Sequence, residues 1–221
     1  MILDYFEKNG NDLYGQMTDY INQKYKSDNF TFVREFGGRW GSPVIKTLFR
    51  SDKYPELPVC VMCDKNDDDN YFDNYMAVKY NNTTFNTILD ILKGLYGDKV
   101  FLCYEAPKLA FTEGSRDDMS FEEYAKELTS AINFTAITEY DTSKEIHEET
   151  ISKLKDALSN NGISCCGKIY YANDGADFSD LTFENYYYTY LEKETYNASF
   201  SFIFDVEKGY LKNDWQVVDN A

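Results

Sequence analysis

The chain has 221 residues, 43% of them hydrophobic and 17% aromatic, enough to bury a substantial core in one large domain or two small ones. With 22 basic against 38 acidic residues its net charge is −16, which repels the phosphates of nucleic acid and the anionic headgroups of a lipid surface. No run of about 18 apolar residues is present, so no transmembrane segment is expected.

The 20 Tyr and 16 Phe favour pleated, half-buried surfaces and predict substantial β-structure. Phe6, Leu13, Met17, Tyr20 and Ile21 follow helical spacing. Gly10 and Gly15 weaken that pattern, so the helix is expected to start near Asp12. Residues 30–36 (FTFVREF) read as a strand, and 37–43, rich in Gly and ending in Pro, as a turn that could present Trp40 at its tip. Strands follow over 44–50 and 58–64, and a short one over 75–80. Residues 84–96 repeat Ile88, Leu92 and Leu95 on one face, with Gly97 placed to end a helix. That helix is expected to pack on the sheet of the first three strands.

After a strand over 100–104, residues 105–118 read as a linker. Ser120 with Glu123, and Thr142 with Glu145, are capping boxes that open two further helices, the second carrying Ile146, Thr150, Leu154 and Leu158. Strands are expected over 133–139 and 164–172. Residues 178–191 fit helix and strand equally. Residues 196–205 alternate, with Tyr196, Ala198, Phe200, Phe202 and Phe204 on one face. The fold class is α+β: a helix packed on an antiparallel strand meander, followed by a second α+β unit. The expected division is 1–108 and 109–221.

The stretch Asp64-Lys-Asn-Asp67-Asp68-Asp69-Asn-Tyr-Phe-Asp73 is the one candidate metal site. A calcium loop of the EF-hand kind takes acids at positions 1, 3 and 5, Gly at 6 and a bidentate Glu at 12. Counted from Asp64, the first three fit, but position 6 is Asp69 and position 12 is Tyr75. What remains is a looser oxygen site for calcium made by Asp64, Asp67, Asp68, Asp69 and Asp73, or a polar connection whose side chains bond the backbone. Apart from calcium, no cofactor is implied.

The five cysteines, Cys60, Cys63, Cys103, Cys165 and Cys166, form no disulfide framework. Cys60 and Cys63 have CxxC spacing but fall on a strand, pointing to opposite faces, and are expected to stay unbridged. His147, the single histidine, lies among Glu145, Glu148 and Glu149 without a second His for a zinc motif. There is no nucleotide loop and no GxSxG nucleophile. Hydrolysis by two carboxylates needs only Asp and Glu, and 38 acids nominate no pair. Tyr186, Tyr188 and Tyr190, with Tyr187, Tyr170, Tyr171 and Trp40, offer flat amphipathic area for a sugar or a peptide.

Several residues carry a resemblance: Tyr25, Phe30-Thr31-Phe32-Val33, Gly37-Gly38, Ser51-Asp52-Lys53-Tyr54-Pro55, Asp73-Asn74-Tyr75, Lys79-Tyr80 and Leu95-Tyr96-Gly97. In this order, over residues 13–104, the chain resembles a group of uncharacterised proteins of Gram-positive bacteria, often carried as surface lipoproteins. The resemblance implies an exported α+β protein with a cystatin-like helix-on-sheet unit, and brings no catalytic residues. Met1-Ile2-Leu3-Asp4 has neither the basic nor the apolar region of a signal peptide. The protein is therefore expected either in the cytoplasm or outside the cell after loss of a leader. Three functions follow: a non-enzymatic binding or accessory protein outside the membrane, taking a protein or carbohydrate; an acidic protein-binding module of the cytoplasm or a mobile element; and a carboxylate-pair glycoside hydrolase.

Overall fold

A computed structural model describes residues 2–35, 44–64, 67–106, 114–127, 132–139, 144–173, 175–189, 191 and 196–217, with the side chains of 2–12, 64, 67–69, 127 and 144–147 outside that description. The fold is α+β, with one four-stranded and one five-stranded sheet among the described residues. The chain divides into two compact units, Met1–Tyr80 with Ala106–Ser120, and Asn81–Glu105 with Phe121–Ala221.

The first unit begins with helix α1 (Ile2–Lys24), followed by strands β1 (Phe30–Glu35), β2 (Val44–Ser51), β3 (Pro58–Asp64) and β4 (Asp67–Asp73), and a short helix α2 (Tyr75–Lys79). The four strands form an antiparallel meander in chain order. Met17 and Ile21, one turn apart on α1, and Tyr25 just beyond its end are fully buried. They meet the sheet where Phe49, Val59 and Val61 are also buried, and each such side chain contributes about 1.5–3 kcal/mol. The helix starts ten residues earlier than its glycines suggest. A helical Gly costs about 1 kcal/mol relative to Ala, too little to end a long helix.

Two sequence expectations change here. The aspartate-rich stretch is strand β4 itself, joined to β3 through a hairpin in which Asp64 and Asp67 are register partners. Residues 75–79, expected as a strand, are helical, and Tyr75, Met76, Ala77 and Val78 are all buried. A short run buried on every side has no period to read.

The second unit contains α3 (Asn81–Tyr96), β5 (Val100–Cys103), α4 (Phe121–Glu127), β6 (Asn133–Glu139), α5 (Lys144–Asn160), β7 (Cys165–Ala172), α6 (Tyr186–Thr189), β8 (Tyr196–Asp205) and β9 (Gly209–Val217). The strand order is β5-β6-β7-β8-β9, antiparallel except for the parallel pair β6 and β7, which α5 connects. Helix α3, expected on the sheet of the first three strands, packs on α5 and β5. Its Ile88 and Leu92 are buried as the spacing requires.

One face of the sheet carries Ala198, Phe200, Phe202 and Phe204, all buried. Tyr196 leaves that face. A register shift opposite Tyr171 and Ala172 inserts one residue, and the Tyr196 ring instead meets Tyr170 at 4.7 Å. Among the described residues no helix is long and apolar enough to cross a membrane.

Candidate functional site

Two places concentrate polar or aromatic chemistry, one in each unit. In the first unit, Asp73 ends β4 with its carboxylate buried. Oδ2 accepts hydrogen bonds from the Tyr20 hydroxyl at 2.8 Å and the Lys24 ammonium at 2.7 Å. Oδ1 accepts from the Tyr25 hydroxyl at 2.8 Å and from the backbone N–H of Tyr75 at 3.0 Å. The donors Tyr20 and Lys24 stand one turn apart on α1, so a single carboxylate ties the helix to the far edge of the sheet.

Asp28, also buried, plays the matching part at the start of β1. Its Oδ2 accepts from the Ser51 hydroxyl and, at 3.0 Å, from the Tyr75 hydroxyl. Its Oδ1 accepts from the N–H groups of Asn29 at 2.8 Å and Lys53 at 3.2 Å. Tyr75 therefore bridges the two acids, through its backbone to Asp73 and through its hydroxyl to Asp28. Its ring lies 4.4 Å from Tyr25, 5.1 Å from Phe30 and 6.1 Å from Tyr54. Burial, reinforced by the adjacent carboxylates, pushes the Tyr20, Tyr25 and Tyr75 hydroxyls well above the ordinary tyrosine value. Each stays protonated and keeps donating.

This network bears on the five aspartates considered for calcium. Asp73 spends its oxygens on four protein donors and lies at the opposite end of β4 from Asp67. Six residues of strand span at most about 20 Å. Asp64 and Asp67 face each other across the hairpin, and the register shift beyond Cys63 takes up Asp68, Asp69 and Asn70. The side chains of Asp64, Asp67, Asp68 and Asp69 are outside the described residues.

In the second unit, Ala176, Phe178, Leu181 and Leu191 pack against Ile137, Tyr170 and Ala172 on one face of the sheet. The stretch 178–191, ambiguous from sequence, is irregular chain and turns with one short helix, α6, among its described residues. Of the expected tyrosines, Tyr186 is half-buried, its ring 5.9 Å from Phe101. Tyr188 is 67% exposed, and Tyr187, 54% exposed, stands edge-on to it at 5.3 Å. Phe183, 51% exposed and four residues before Tyr187, is a further exposed ring that sequence reasoning passed over. Tyr170 and Tyr171 are buried in the sheet. Trp40 and Tyr190 lie outside the described residues, as does the side chain of His147.

None of the five cysteines is in a disulfide, Cys60 and Cys63 included. Both of that pair are buried, because β3 is covered on both faces at these positions. Burial pushes the Cys60 thiol up to about 11, which suits a packing role rather than a nucleophilic one.

No protein-family model and no curated protein matches the sequence. Among solved structures, the chain is similar to a DUF5037 family protein from Ruminococcus gnavus ATCC 29149. The match covers 90% of this chain and 94% of that one, at 11% identity and a TM-score of 0.40. A likeness that loose transfers no residue role and no activity.

Proposed function

We propose that the chain is a non-enzymatic binding or accessory protein that takes a protein or carbohydrate ligand outside the cytoplasmic membrane of a Gram-positive bacterium. The observation that carries the reading is the exposed pair Tyr187 and Tyr188, with Phe183 close by in sequence, on a segment that Ala176, Phe178, Leu181 and Leu191 fasten to the sheet. Aromatic rings held on a rigid base give large contact area at little entropic cost, and their hydroxyls remain available for hydrogen bonds. The two buried acids of the first unit support a scaffold role, since structural donors take their oxygens.

The test is co-sedimentation of the purified chain with isolated Gram-positive cell walls, comparing wild type with Tyr187→Ala/Tyr188→Ala. The expected result is retention of the wild type and at least a tenfold weaker association of the variant. Equal retention of the two, or none of the wild type, overturns the reading.

A second reading is an acidic protein-binding module of the cytoplasm or a mobile element. The five unbridged thiols favour it, because free cysteines are ordinary in a reducing compartment. The reading frame upstream of Met1 separates the locations: a lipoprotein leader there supports the first and its absence the second.

A further inference from the structure

Strand β9 is an edge of the five-stranded sheet, and among the described residues no strand pairs with its outer side. Leu211, Lys212, Asn213, Asp214, Gln216 and Val217 are exposed. An uncovered edge offers a row of backbone N–H and C=O groups to any strand that can reach it. Natural sheets blunt such edges with bulges and inward-pointing charges. Here the one irregularity falls at Leu211, the residue left over between Tyr210 and Lys212, and residues 212–217 pair with β8 in unbroken register.

The residue order along β9 is self-complementary. In an antiparallel pairing about a two-fold axis through Asn213, Lys212 stands opposite Asp214 of the second copy. Asp214 in turn stands opposite Lys212 of that copy. Opposed residues share a face, so two reciprocal ion pairs form side by side. Gln216 donates to Asp214 Oδ2 at 2.8 Å, which places the carboxylate and its neighbour on one face of the strand.

We propose that β9 pairs edge to edge with β9 of a second copy, joining two sheets into one through reciprocal Lys212–Asp214 contacts. This is an isologous, self-closing interface, separate from the tyrosine surface. The net charge of −16 on each chain opposes any self-association. At 0.15 M salt the screening length is about 8 Å, which damps repulsion between the bodies more than attraction between touching pairs.

Sedimentation velocity of the full chain at about 100 μM and 0.15 M salt tests the pairing. The wild type is expected at twice its 25.7 kDa mass. Lys212→Asp places like charges opposite each other and is expected to weaken the dimer at least tenfold. Lys212→Asp/Asp214→Lys restores complementarity and is expected to restore the dimer. Circular dichroism of Lys212→Asp checks that this exposed substitution leaves the fold intact. A monomeric wild type overturns the proposal and leaves the edge to a strand of another protein. A dimer indifferent to Lys212→Asp, or one that the double exchange fails to recover, overturns it as well.

Discussion

Tyr25 donates its buried hydroxyl to Oδ1 of Asp73 at 2.8 Å, although 48 residues separate them in the chain. The contact joins the end of α1 to the last strand of its sheet. Asp73→Ala removes the shared acceptor of Tyr20, Lys24, Tyr25 and the Tyr75 N–H at once, leaving the Tyr25 hydroxyl with Ser115 at 2.8 Å and Lys24 with the Tyr20 hydroxyl. Breaking a buried charged network from one side costs about 3–5 kcal/mol. Tyr25→Phe leaves Asp73 with three of its four donors and is expected to cost about 1–2 kcal/mol. Urea denaturation of the two variants checks the order; equal losses would mean that the carboxylate is not the hub.

The same tyrosines set a limit in alkali. Desolvation is the largest cause raising Tyr20, Tyr25 and Tyr75, followed by the adjacent carboxylates. A group that holds its proton more tightly folded than unfolded contributes stability that is intact below its unfolded value and lost as pH rises above it. That unfolded value is about 10 for tyrosine. Unfolding free energy is therefore expected to be flat with respect to these groups up to about pH 10 and to fall steeply beyond it. In an absorbance titration at 295 nm the buried tyrosines should ionise only as the far-ultraviolet dichroism collapses. Full ionisation of all tyrosines with the fold intact would contradict this.

Strongly periodic elements were legible in the sequence. The spacing of Met17 and Ile21 marks α1, that of Leu154 and Leu158 marks α5, and the alternation of Ala198, Phe200, Phe202 and Phe204 marks β8. The strand β4 was not, because Asp and Asn are depleted in strands. It is held by cross-strand pairing of Tyr71 and Phe72 with Cys63 and Met62, a tertiary effect that local composition cannot register. The position of α3 was also hidden: its apolar face announces burial without naming a partner. For the candidate site, alternation could not separate anchored Tyr186 from exposed Tyr188. The buried Asp28 looks in sequence like any of the 38 acids.

Gly167 on β7 shows how tightly the second sheet is filled. A Cβ built there meets the Phe134 ring at 2.8 Å and clashes with the Phe202 ring as well. Those rings belong to the neighbouring strands β6 and β8 and stand 6.0 Å apart, edge to face. Gly167→Ala is expected to destabilise by about 1–3 kcal/mol through overpacking. Adding Phe202→Leu should return part of that loss, because the two sites share one space. Strictly additive losses in thermal or urea unfolding would show that the rings have room to move.

The thiols should report burial in a fixed order. Desolvation is the largest cause raising Cys60, Cys103, Cys165 and Cys166, and Cys165 is fully buried while Cys166 beside it is only partly buried. Only the thiolate reacts, so a raised value and lost access act together. With excess Ellman's reagent at pH 8 the native protein is expected to label first at Cys166. The four buried thiols should follow only as fast as the chain opens. Cys166→Ser should remove the fast phase and nothing else. In guanidinium without reductant all five thiols should titrate. A count of three would reveal a disulfide and overturn the unbridged state of the five cysteines.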